Sequence, residues 1–146
     1  MGLNFQSDSK KSGDEFESSV KLDLFNRGFT KIHENVYMPG TGCEVDFIAD
    51  DLEYIEAKGG NDGEGKRPGA KRTDNVKKAI ANAFLIKSKF PDIYFVIYFS
   101  SRPATNSYSE DMINTALESG IVNEIRYIQN KPYNDPLQYI LDIGPN

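Results

Sequence analysis

An α/β domain built on one mixed β-sheet flanked by helices is the fold class that three features of this 146-residue chain predict. An apolar stripe at helical spacing opens it. Three short alternating segments follow, separated by turn-forming residues. Two helix-then-strand units then complete the order, the first ending in Ile93–Phe99, a nearly continuous β-branched and aromatic run of the kind found in a central strand.

Taken in order, Ser12-Gly13-Asp14-Glu15 reads as a capping box in front of Phe16, Val20 and Leu24, with Arg27-Gly28 as the stop, so a helix is expected over residues 13–27. Residues 1–12 are polar and expected to be a flexible N-terminus. Strands are expected over 31–38, 43–49 and 53–58, the last two joined by a polar tip, Ala49-Asp50-Asp51-Leu52-Glu53, suited to a tight antiparallel hairpin. A long helix over 73–89 would bury Val76, Ala79, Ile80, Ala83, Ile86 and Phe90. A strand over 93–99 follows. The helix over 108–119 has its own capping box, Ser107 to Glu110, an apolar set Met112, Ile113, Ala116 and Leu117, and Gly120 as its stop. A last strand is expected over 122–128. The Pro- and Asn-rich segment 129–146 reads as a C-terminal appendage whose apolar stretch, Leu137–Ile143, could pack on the core or on a second chain.

Length and composition bound the possibilities. A chain of this size makes one ordinary domain, and no repeat suggests a second. No apolar run approaches membrane-spanning length and the N-terminus does not resemble a signal peptide, so a cytoplasmic protein with no membrane contact is expected. The single cysteine, Cys43, excludes an internal disulfide; with the single histidine, His33, on another segment, it also makes a thiol nucleophile or a zinc site implausible.

The chemistry is concentrated in EVDFIADDLEYIEAKGG, Glu44–Gly60. Residues two apart in a strand share a face, so Glu56 and Lys58 emerge side by side, and a hairpin would bring Asp46 opposite them. Two carboxylates suit Mg²⁺, which can neutralise a scissile phosphate and make hydroxide from water near neutral pH. Asp46 and Glu56 are the candidate ligands, with the backbone carbonyl of Ala57 as a third. Lys58 can orient or help deprotonate the attacking water, or stabilise the charge of the transition state. Glu44 reads as an exposed acid that could reach the site as an extra ligand.

Asp46 followed by Glu56-Ala57-Lys58 resembles the signature of the PD-(D/E)XK nuclease superfamily, an acid, a variable gap and then (D/E)-x-K, with Val45 where the eponymous proline would stand. The α-β-β-β-α-β order, followed here by α-β, resembles that superfamily's restriction-endonuclease-like core. GDEFESSVKLDLFNRG resembles the first-helix pattern that often carries another acid, which maps to Glu17, a residue that could equally pair with Lys21. The resemblance implies a Mg²⁺-dependent DNA endonuclease, with Mn²⁺ able to substitute, that leaves a 5′-phosphate and a 3′-hydroxyl. Small members of the superfamily commonly form homodimers. It leaves open a toxin-type domain cutting RNA or tRNA, and a catalytically inactive nucleic-acid-binding module. A structural or protein-interaction domain using the C-terminal apolar segment is a third reading.

The net charge of −5 is unevenly spread: Lys66, Arg67, Lys71, Arg72, Lys77 and Lys78 place six of the 17 basic residues just after Lys58, in and beyond a glycine-rich loop. These are the candidate nucleic-acid contacts, Arg72 and Lys78 foremost because they sit at or just inside the start of a helix. Asn75 and Arg102 are polar residues near the same edge. No P-loop spacing is present.

Overall fold

The computed structural model describes residues 5–59 and 69–128, with side chains from Glu15 onward. The elements are α1 (Phe5–Asn26), β1 (Ile32–Met38), β2 (Cys43–Ala49), β3 (Glu53–Lys58), a 3-10 turn (Gly69–Lys71), α2 (Thr73–Lys89), β4 (Tyr94–Phe99), α3 (Tyr108–Glu118) and β5 (Glu124–Tyr127). The five strands form one mixed sheet in chain order: β1, β2 and β3 are an antiparallel meander, while β4 pairs parallel with β3 and β5 parallel with β4. Among the described residues no helix is long and apolar enough to cross a membrane. The C-terminal appendage, 129–146, lies outside the described residues.

The α/β reading and the order of elements agree with expectation. The start of α1 does not. Residues 5–12, expected as a polar lead, are helical, so Ser12 lies within the helix rather than capping it. The capping-box pattern is short and polar and can also sit on the solvent side of a longer helix.

Two apolar layers hold the sheet. The predicted stripe Phe16, Val20 and Leu24 is fully buried with Phe47, Ala49, Ile55, Val96 and Tyr98, forming the layer under α1. On the other face, Val76, Ala79, Ala83 and Ile86 of α2 and Ile113 and Ala116 of α3 pack with Phe95, Ile97 and Phe99. The parallel units β3-α2-β4 and β4-α3-β5 step in the same direction, and crossovers of one hand put both helices on one face. That leaves the opposite face to α1.

The β2–β3 hairpin turns at Asp50 and Asp51, both with positive φ, 51° and 55°, and closes with the Leu52 N–H donating to the Ala49 carbonyl at 2.8 Å. Paired left-handed residues match the twist of the flanking strands. The Asp50 carboxylate also accepts the Lys31 N–H at 2.6 Å, tying the entry of β1 to the turn.

A polar network crosses the layer under α1. Arg126, 7% exposed, makes a bidentate pair with Glu53 at 2.9 and 2.8 Å, bonds Glu124 at 2.6 Å and donates to the Tyr98 hydroxyl at 2.9 Å. That hydroxyl donates to Asp23 at 2.7 Å, and Asp23 pairs with Arg27 at 2.8 Å. Burial alone would lower the Arg126 pKa, but its bonds to Glu53 and Glu124 outweigh it and raise the value. Tyr98 is held well above the ordinary tyrosine range, first by burial and then by the Asp23 charge. The network joins α1, β3, β4 and β5. Removing the arginine would strand the largely buried Glu53 carboxylate and leave Glu124 with the Tyr94 hydroxyl at 2.8 Å, so Arg126→Met should cost ~3 kcal/mol in urea unfolding, and Tyr98→Phe a smaller ~1–2 kcal/mol. An Arg126→Met protein as stable as wild type would remove the network from the account of stability.

Candidate active site

Strict alternation would keep Val45, Phe47 and Ala49 on one face of β2. They do not stay together: Cys43 and Val45 pack in the α2 layer, Phe47 and Ala49 in the α1 layer. The neighbouring strand changes face at the same level, with Ile32 against the α1 layer but Val36 and Met38 in the α2 layer. Glu34 pairs with Phe47 and Val36 with Val45, so the inversion falls on Asn35 and the facing Asp46. Asn35 has φ 52°, a left-handed conformation that asparagine tolerates better than most residues. Both strands therefore turn over at the position of the candidate acid.

The β2–β3 ladder also stops there. Its last pair is Phe47 with Ile55, and continuing the register would set Asp46 against Glu56. Instead the Asp46 carboxylate accepts the Ala57 N–H at 2.7 Å, where a backbone carbonyl would otherwise sit. The N–H and C=O of one strand residue point to the same edge, so the Ala57 carbonyl faces the same gap. On the other edge of β3 the pairing is intact, with Glu56 beside Ile97 and Lys58 beside Phe99 of β4.

Glu56 points into the α2 layer and is 4% exposed. Its Oε2 accepts from Asn82 Nδ2 of α2 at 2.6 Å, and Asn82 Oδ1 faces the buried Cys43 thiol at 3.6 Å. Burial, followed by the hydrogen bond and charge of Asp46, pushes Glu56 up to about 8; Lys58 and Asn82 pull the other way without prevailing. The two carboxylates are thus held together at the cost of keeping a proton, a cost that a bound cation would remove.

Asp46, Glu56 and the Ala57 carbonyl fit a hard divalent ion. Among the described residues no group of three or more His, Cys, Asp and Glu comes together. Mg²⁺ keeps several waters and accepts such a set.

Lys58 is half-buried on the same face as Glu56, at the carboxyl end of β3. Glu17 is half-buried on α1, beneath the opposite face. The two are brought to one end of the sheet by Gly59: a Cβ there would stand 2.5 Å from the Phe16 side chain, so the helix carrying Glu17 packs directly on the residue after Lys58. Glu44 is exposed, as expected. Asn75 is structural, donating to the Gly69 carbonyl at 3.2 Å. His33 is exposed and Cys43 buried.

Of the candidate nucleic-acid contacts, Lys71 and Arg72 are exposed beside the first turn of α2, at the carboxyl end of the parallel strands. Lys77 and Lys78 are exposed further along that helix. Lys66 and Arg67 lie outside the described residues. Asn82 was not foreseen: it stands inside the stripe Val76, Ala79, Ala83, Ile86, where a polar residue is the signal that could have marked it.

Two outcomes follow from Glu56. In the metal-free protein the native state holds a proton that the unfolded chain gives up near the ordinary glutamate value of 4.5, so stability should fall as pH rises from about 4.5 to about 8. Glu56→Gln should flatten that slope in thermal melts; an unchanged slope would assign it to other groups. By the same linkage, Mg²⁺ titrated calorimetrically below pH 8 should release close to one proton per ion. Asn82→Ala should weaken metal affinity by ~10- to 100-fold, and an unaltered affinity would make Asn82 a packing residue only.

Comparison of the chain with family models, with curated proteins and with solved structures finds no match in any of the three.

Proposed function

We propose that this protein is a Mg²⁺-dependent endonuclease of the PD-(D/E)XK kind, hydrolysing phosphodiester bonds of DNA. The observation that carries the reading is the meeting of Asp46 and Glu56 where the β2–β3 ladder ends, with Lys58 on the same face as Glu56. The antiparallel meander β1–β3 followed by a parallel β4 supports it, since it is the sheet expected of a restriction-endonuclease-like core. The site also lies at the carboxyl ends of parallel strands, the end at which open α/β sheets bind ligands.

Asp46, Glu56 and the Ala57 carbonyl would hold the ion, which supplies charge neutralisation at the phosphate and a more acidic water. The Ala57 N–H fixes the Asp46 carboxylate, and Asn82 fixes that of Glu56. Lys58 places an ammonium where the attacked phosphate gains negative charge, and it can orient the attacking water. Water oxygen bonds to phosphorus as the bond to the 3′-oxygen breaks, and the products are a 5′-phosphate and a 3′-hydroxyl. Lys71 and Arg72 are exposed cations at this end of the sheet that can hold flanking phosphates.

The assay is cleavage of supercoiled plasmid, linear duplex, single strand, four-way junction and structured RNA, with Mg²⁺ or EDTA. Lys58→Ala should lower the rate by ~100- to 1,000-fold. Asp46→Asn, which keeps an acceptor for the Ala57 N–H, should abolish metal-dependent cutting while leaving the melting transition in place. Undiminished cutting by either variant, or by wild type in EDTA, would overturn the assignment; a preference for RNA would move it to a ribonuclease.

A further inference from the structure

A cleft of about 360 Å³ opens between the start of α2 and the start of α3, with Lys71, Thr73, Asn106, Ser107 and Tyr108 on its walls. That volume lies within the range of small-ligand sites. The two helices follow β3 and β4, so the cleft opens at the same end of the sheet as Lys58. Its walls are fixed to each other: the Ala70 N–H donates to the Ser101 carbonyl at 3.3 Å, and a Cβ on Gly69 would stand 2.6 Å from the Ser101 nitrogen.

The chemistry of the walls is split. On the α2 side Lys71 stands on the wall and is exposed, and Arg72, the next residue along the chain, is exposed at the cap position without a side-chain bond to the first turn. Arg72 pairs with Asp74 at 3.8 Å, both side chains being more than half exposed. On the α3 side Ser107 Oγ accepts the Glu110 N–H at 3.1 Å and Glu110 accepts the Asn106 N–H at 3.1 Å. Beside them stands Tyr108, 84% exposed. An aromatic side chain ordinarily buries most of its area, so a ring standing in solvent on the cleft that Lys71 also lines has a face to offer a ligand. Arg102, stacked 4.6 Å over the Tyr127 ring at the end of β5, adds a third cation to this end of the sheet.

We infer that this cleft holds one nucleotide of a single-stranded segment adjoining the scissile phosphate, with its phosphate on Lys71 and Arg72 and its base stacked on Tyr108; the inference rests on the nuclease reading of the neighbouring site and deepens it. A base inside a duplex has both faces covered by its neighbours, whereas an unpaired base can stack on a side chain. The substrate class is therefore a strand with unpaired bases beside the cleavage point rather than a continuous duplex.

Fluorescence anisotropy in EDTA, where turnover is blocked, tests this with labelled single-stranded DNA and RNA oligonucleotides and a blunt duplex of the same sequence. Tyr108→Ala should weaken single-strand binding by ~5- to 150-fold and change duplex binding by less than about twofold. Tyr108→Phe, which keeps the stacking face, should bind like wild type. Lys71→Gln should weaken single-strand binding and reduce its salt slope by ~0.7, the loss of one phosphate contact. Whichever of DNA or RNA binds more tightly identifies the sugar, and either supports the cleft. No oligonucleotide binding by wild type, equal losses on duplex and single strand, or a Tyr108→Phe protein as weak as Tyr108→Ala would overturn it. Cleavage without Tyr108-dependent binding would remove the cleft and keep the nuclease, whereas Tyr108-dependent binding without cleavage would do the reverse.

Discussion

A single hydrogen bond out of place organises the chemistry of this molecule. Where β2 and β3 should continue to pair, the Asp46 side chain takes the Ala57 N–H, and the two strands part. Had the ladder run on, Asp46 and Glu56 would have faced each other as an ordinary cross-strand pair of like charges, which is destabilising. The parting turns that liability into a pocket of acceptors. The face inversion at Asn35 falls at the same level, opposite Asp46.

The two faces of the sheet carry different burdens. Beneath α1, the polar groups are mutually satisfied: Arg126 meets Glu53, Glu124 and Tyr98, and Tyr98 meets Asp23. Facing α2, the charge is left unbalanced, with Glu56 buried next to another acid. A site of this kind lowers native stability, and the apolar layers on both faces together with the saturated network offset that loss. Separation by face also keeps the arginine from neutralising the acids: Arg126 and Glu56 belong to opposite layers of a sheet whose backbone lies between them.

Much of this was legible in the sequence. The stripe Phe16, Val20, Leu24, the turn residues Asp50 and Asp51 and the run ending at Phe99 are local signals, and each maps onto the element it announces. The spacing from Asp46 to Glu56 anticipated their meeting because a hairpin converts separation along the chain into proximity. What could not be read was long-range or side-chain specific. Asn82 touches Glu56 across 26 positions, and Arg126 reaches Glu53 across 73. Neither has a local signature beyond a polar residue in apolar company. The early start of α1 was hidden by a capping pattern that proved to lie within the helix.

Two glycines frame the stretch between β3 and α2, each because another part of the protein occupies the space where its side chain would be. Gly59 lies under Phe16, and Gly69 lies against Ser100 and Ser101. The chain is thus clamped on both sides of residues 60–68 by contacts that belong to the scaffold. A residue larger than glycine at either position would have to displace the Phe16 side chain or the Ser100–Ser101 backbone, so the end of β3 and the entry to α2 are set by packing on the scaffold.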